Sequence, residues 1–120
     1  MARLAEAAGR MCDAGVEALA SILADERAAW FDVRINALKA LGELTRATQR
    51  AATALVAPKT FSAVVNVNKK YKETPVEAQR LAVQCYINLL NYHETMRALL
   101  TPNFIHELLN ILQVTRNEMV

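Results

Sequence analysis

The chain has 120 residues and a formal net charge of +2, the size of one ordinary domain, which buries roughly two thirds of its unfolded surface. Hydrophobic residues make up 53%, too many for a disordered chain, and so small a charge does not point to nucleic-acid binding. With 3 Gly, 3 Pro and 6% aromatics, the apolar content is mostly Ala, Leu and Val, a mix that favours helices over sheet.

Residues 3–13 are expected to form a short helix ending near "DAG", where Gly15 is a natural breaker. "VEALASILAD", residues 16–25, carries Val16, Leu19, Ile22 and Leu23 at helical spacing. "ERAAW" forms a joint, and residues 32–46 form a longer helix with Asp32 as N-cap. After a break at "AT", "QRAATALVA" is a short helix stopped before Pro58, and "PKTFSAVVNVNKKYK" starts with that proline in its first turn. In "TPVEAQ", Thr74 as N-cap, Pro75 as N1 and Glu77 as N3 make a capping box, opening a helix that runs to about Asn91. "ETMRALL" follows, and "TPNFIHELLNILQVT" repeats the Thr-Pro start at Thr101 and Pro102.

The lengths run short, medium, long, then short, medium, long, then short, medium. Ala37 aligns with Ala82, Ala40 with Cys85 and Leu44 with Leu89 at a constant offset of 45. A period in the forties with three helices per unit predicts an all-α solenoid. No charge-free apolar run approaches the roughly 18 residues needed to cross a bilayer, so no membrane insertion is expected. "MARLAEAAGRMCDAG" lacks the continuous apolar core of a signal peptide, and Glu6 and Asp13 argue against a transit peptide. Cys12 and Cys85, far apart within helical patterns, read as free thiols of a reducing compartment, the cytosol or the nucleus.

At this level the chain resembles the armadillo repeats, with the related HEAT repeats as the close alternative. "CDAGVEALASIL" looks like the family's junction between first and second helices. "EAQRLAVQCYINLLNYHETMRALLTPNFIHELLNIL" looks like a third helix running into the next repeat's first two. The resemblance covers nearly the whole chain and implies an α-α superhelix: one domain with repeats at about 1–46 and 47–91, then an incomplete one at 92–120. Two features depart from the family pattern. Ala57-Pro58 and Thr101-Pro102 stand where later junctions would carry glycine, and Lys39 and Gln84 stand where it has a groove tryptophan.

Several side chains invite a chemical reading. "HETMR" lacks the second histidine of the H-E-x-x-H zinc motif, because position 97 is Arg. His93 and His106 have no Cys or Asp at ligand spacing, so no metal site is expected. Cys85 and His93 lie eight residues apart, about 12 Å along a helix, too far for a nucleophile–base pair. "NKKYK" at 68–72 complements a helix C-terminus. Trp30 and Phe31 are expected to cover the end of the core. Neither an enzyme nor a cofactor is expected.

The third helices carry the candidate site. By resemblance they line a concave groove, whose expected partner-binding stripe is Lys39, Glu43, Arg46, Arg80, Gln84, Asn88 and Asn91. Asn88 and Glu43 stand where the family has the groove asparagine that hydrogen-bonds an extended peptide. A second surface is expected on the last helix, where Phe104, Ile105, Leu108, Leu109, Ile111 and Leu112 span more of the wheel than one neighbour can cover. The functional expectation is a non-catalytic scaffold for a protein partner. The alternative is a structural subunit, or part of a longer solenoid, in a large assembly such as a cytoskeletal one.

Overall fold

The computed structural model describes residues 2–102, 104–106, 109, 110 and 113, and every regular element among them is helical. Helix α1, Ala2–Ala24, is unbroken where two helices meeting near Gly15 were expected. Val16, Ala20 and Leu23 form a buried ridge just past that glycine, and no described residue has positive φ. An interior glycine costs a helix about 1 kcal/mol, while burying Val16 and Leu23 contributes roughly 1.5–3 kcal/mol each. Burial wins, and the helix runs through.

Trp30–Arg34 form a wide π-type turn that leads directly into α2, Ile35–Ala47. Asp32 therefore lies inside the first turn rather than capping it. The Ala29 carbonyl accepts from the Val33 amide at 3.2 Å and the Arg34 amide at 3.0 Å. Arg34 fixes this turn: its guanidinium sits 3.5 Å over the Trp30 ring, and its Nε donates to the Leu23 carbonyl at 2.9 Å. A cation on an aromatic face plus a charged donor to a helix-end carbonyl outweighs the cap that Asp32 offers locally.

Helix α3, Gln49–Val56, is capped by Thr48, whose Oγ1 accepts from the Ala51 amide at 3.2 Å. Helix α4, Pro58–Lys69, opens on its proline as expected. A 3-10 turn, Tyr71–Glu73, leads to α5, Val76–Leu90, and then α6, His93–Leu99. The described residues from Pro102 to Gln113 are helical, and Thr101 Oγ1 accepts from the Phe104 amide at 3.2 Å. The Thr74 capping box does not form. Its hydroxyl donates back to the Lys70 carbonyl at 2.8 Å, and α5 starts one residue later with Pro75 as N-cap. Glu77 reaches sideways to Lys39 instead of back to the cap.

Helix α2 packs most extensively on α5, α1 packs about equally on α2, α3 and α4, α3 packs on α2 as well, and α6 rests on α3 and α5. The core between them holds Leu38, Leu41, Leu55, Val64, Tyr86 and Leu89, all at most 1% exposed. Polar side-chain bonds between elements include Arg50 to Asp13, separated by 37 residues, and Tyr86 to Asn68, separated by 18. Gln49 to Glu94, Lys70 to Glu26, Tyr92 to Arg46 and Asn88 to Gly42 and Thr45 are separated by 43–46 residues. The radius of gyration is 14.3 Å, slightly above the roughly 13.6 Å of a spherical domain this long.

Candidate functional site

Along α2 and α5, a step of about 100° per residue separates three faces. Leu41 on α2 and Gln79 and Tyr86 on α5 turn inward. Lys39, Glu43 and Arg46 on α2, Gln84 on α5 and Asn91 at its C-cap are exposed. Glu43 and Arg46 pair at 2.7 Å, an i,i+3 bond on a fully exposed surface, and Lys39 meets Glu77 at 3.6 Å with both side chains about half exposed. The Glu43 carboxylate bonded to Arg46 raises the affinity of the guanidinium for its proton. Pairs this exposed are screened by water, so these groups remain available to a partner.

Asn88 departs from the stripe. It is 3% exposed, and its amide is consumed within the molecule. Nδ2 donates to the Gly42 carbonyl at 2.9 Å and to Thr45 Oγ1 at 3.2 Å, while Oδ1 accepts from Gln84 Nε2 at 3.0 Å. Thr45, itself fully buried, passes its own proton to the Leu41 carbonyl at 2.7 Å. The residue that the resemblance would assign to peptide recognition therefore joins α5 to α2. Arg80 is exposed too, but it stands on the side of α5 turned away from α2, beside Val76 and Ile87, which are 37% and 47% exposed.

The expected C-terminal apolar surface splits. Phe104 is 7% exposed and closes an aromatic cluster, 5.6 Å from Phe61 and 6.4 Å from Tyr86 between ring centroids. It is core, because three rings in tilted and edge-on contact bury more area than one solvent-facing ring can. Ile105 and Leu109 remain exposed at 43% and 61%. Leu108, Ile111 and Leu112 lie outside the described residues.

Two other places hold polar groups in a concavity. A cavity of about 330 Å³ lies between the end of α1, the π-type turn and α4, lined in part by Glu26, Arg34 and Lys70. These three are engaged: Lys70 bonds Glu26, and Arg34 holds Trp30 and the Leu23 carbonyl. The Lys70 bond keeps the Glu26 carboxyl below its ordinary range. Between α1 and α3, Arg50 grips Asp13 through two bonds of 2.7 and 3.0 Å, which lowers that carboxyl likewise. No group of three His, Cys, Asp or Glu residues that could hold a metal ion occurs among the described residues.

Cys85 is fully buried, and that burial pushes its thiol up to about 12. It stays protonated at neutral pH and offers no thiolate nucleophile. His93 and His106 are exposed helix residues, and Phe31 is 66% exposed while its neighbour Trp30 is packed. No described helix is long and apolar enough to cross a membrane. The buried Asn68 was not singled out from sequence; it accepts from the Tyr86 hydroxyl at 3.2 Å and donates to the Gln79 carbonyl at 3.4 Å. Its only signal in sequence is an amide inside the apolar run "SAVVNVN". Comparisons with family models, curated proteins and solved structures return no match.

Proposed function

We infer that the chain is a stack of three-helix units of the armadillo type, and that it serves as a non-catalytic scaffold for a partner protein. The observation that carries this reading is the extensive packing of α2 on α5, with bonds from Asn88 to Gly42 and Thr45, from Tyr92 to Arg46 and from Gln49 to Glu94 separated by 43–46 residues. That separation lies around the 45-residue offset of the sequence, as expected when each unit packs only on its neighbours. A partner is held by the exposed polar stripe of Lys39, Glu43, Arg46, Gln84 and Asn91, with Arg80 and the apolar Ile105 and Leu109 at the open end of the stack. Asn88 fixes the stack rather than touching the ligand. Binding by a shallow polar surface of this kind draws specificity from charge and hydrogen-bond placement rather than from large buried area. The setting expected for it is the cytoplasm or nucleus.

The test is capture of partners by the wild-type chain and by a Lys39→Ala, Arg46→Ala, Gln84→Ala variant, with circular dichroism to verify folding. All three side chains are exposed, and circular dichroism shows whether losing the Gln84 bond to Asn88 disturbs the fold. A protein retained by the wild type and lost by the variant supports the reading. Equal retention by both removes the stripe as the binding surface.

A further inference from the structure

The cavity between the end of α1, the π-type turn and α4 contains a guanidinium with donors to spare. Arg34 uses one face on the Trp30 ring and its Nε on the Leu23 carbonyl. Those two contacts fix the plane of a fork that carries five N–H donors. The donors on its two Nη atoms meet no acceptor among the described residues. Partial burial strips water from the group and lowers its pKa, which Glu26 and Asp25 offset only in part. A second charge in the wall is unmatched as well. Glu73 is exposed and lines the cavity. Its side chain bonds none of the described cations, although it stands near enough to Lys70 to favour that ammonium.

The remaining two charges, Lys70 and Glu26, bond each other. Helices α1 and α4 end at Ala24 and Lys69, so two helix C-termini, each equivalent to about −0.5 charge, border the same space. Arg34 and Lys70 balance Glu26 and Glu73, and the helix ends tip the sum towards negative. A phosphate or a dicarboxylate would face Glu73 and both helix ends, and a simple cation would face Arg34. A ligand that carries both signs avoids both conflicts. The volume of about 330 Å³ lies at the small end of ligand pockets, roughly 300–1,000 Å³. Leu23, Ala24, Ala63 and Val67 supply an apolar wall. We propose that this cavity binds a free α-amino acid with a short aliphatic side chain. Its carboxylate takes the Nη donors of Arg34, its ammonium takes Glu73, and its side chain rests on the apolar wall. The site stands on these side chains alone and is independent of the stacked-unit reading.

Titration of the folded chain with L-valine tests this. Trp30, the sole tryptophan, lines the cavity, so its emission should change and saturate as valine is added. Equilibrium dialysis of radiolabelled valine gives a second readout. N-acetylvaline lacks the ammonium and valinamide lacks the carboxylate. Each should bind at least about tenfold more weakly, the cost of one charged hydrogen bond. Arg34→Gln should lose the discrimination between valine and valinamide. Because Arg34 also fixes the turn, the exposed Glu73→Gln decides the matter. It should fold as the wild type does by circular dichroism and bind valine at least about tenfold more weakly, with N-acetylvaline unaffected. No saturable binding of valine by either readout at millimolar concentration overturns the proposal. Equal binding of all three compounds overturns it too, since that describes an apolar hollow, and so does wild-type affinity for valine in Glu73→Gln.

Discussion

Replacing Asn88 by alanine probes the seam between α2 and α5 directly. The side chain is 3% exposed and makes three hydrogen bonds, to Gly42, Thr45 and Gln84. The Gln84 bond is partly open to solvent, so Gln84 regains water when it is lost. The bond to the Thr45 hydroxyl is buried and that to the Gly42 carbonyl partly so, and each contributes about 0.5–1.5 kcal/mol. The expected loss is therefore about 1–3 kcal/mol. At roughly 2.1 cal/mol/K per residue, the unfolding entropy of a chain this long makes 2 kcal/mol a fall of about 8 °C in Tm.

Urea denaturation followed by circular dichroism, with Tm as a second readout, measures this loss. Lys39→Ala and Asn91→Ala serve as exposed controls, each expected within about 0.5 kcal/mol of wild type. A double-mutant cycle with Thr45→Ala should return a coupling of about 0.5 kcal/mol or more, since the pair shares a hydrogen bond. An Asn88→Ala variant as stable as the controls, with no coupling to Thr45, would falsify the inward placement of the amide and return Asn88 to the solvent stripe.

Gly15→Ala should stabilise the chain by about 0.5–1 kcal/mol in the same denaturation assay, because a Cβ there would meet no atom within 4 Å and the helix is continuous; a loss of stability would point to a joint. Phe104→Ala should cost about 3 kcal/mol through the aromatic cluster, whereas Ile105→Ala should change stability by less than about 0.5 kcal/mol. Iodoacetamide at pH 8 should modify Cys12 in the native protein and Cys85 only after unfolding, read by mass spectrometry. Cys85 also gives a pH dependence. Its folded-state value of about 12 lies above the ordinary 9.0, so its contribution is whole below pH 9 and falls as pH climbs from 9 towards 12; the wild type should lose stability more steeply across that window than Cys85→Ala.

Helix joints were legible where the local chemistry is unambiguous. Pro58 cannot accept a continuing helix, and Thr101 before Pro102 supplies a cap beside a preset φ, so both starts fall where the sequence places them. Gly15 misleads because its local penalty is small beside the burial of the ridge from Val16 to Leu23. Thr74 misleads because the Lys70 carbonyl, brought near by the 3-10 turn, competes for its hydroxyl. The candidate stripe was legible as a polar face on each helix, but a wheel does not distinguish polar groups that face water from those that face a neighbouring helix. Asn88 and Phe104 are decided by tertiary approach, one by the closeness of α2 and the other by Phe61 and Tyr86.

The two kinds of polar residue on α2 and α5 divide the labour of the seam. Ala78, Ala82 and Cys85 give α5 a smooth, small-residue surface, which packs acceptably at more than one axial offset. Sliding α5 by a turn, about 5.4 Å, carries the Asn88 amide off the Gly42 carbonyl and the Thr45 hydroxyl. A buried amide left unpaired costs roughly 1–3 kcal/mol, a large fraction of the stability of a domain this size. The half-exposed Lys39–Glu77 pair imposes no comparable penalty, because water replaces either partner. Register is therefore held by an interior amide that no ligand reaches. The rim charges are left to be matched by whatever packs against them, and substituting those charges changes recognition without moving the helices.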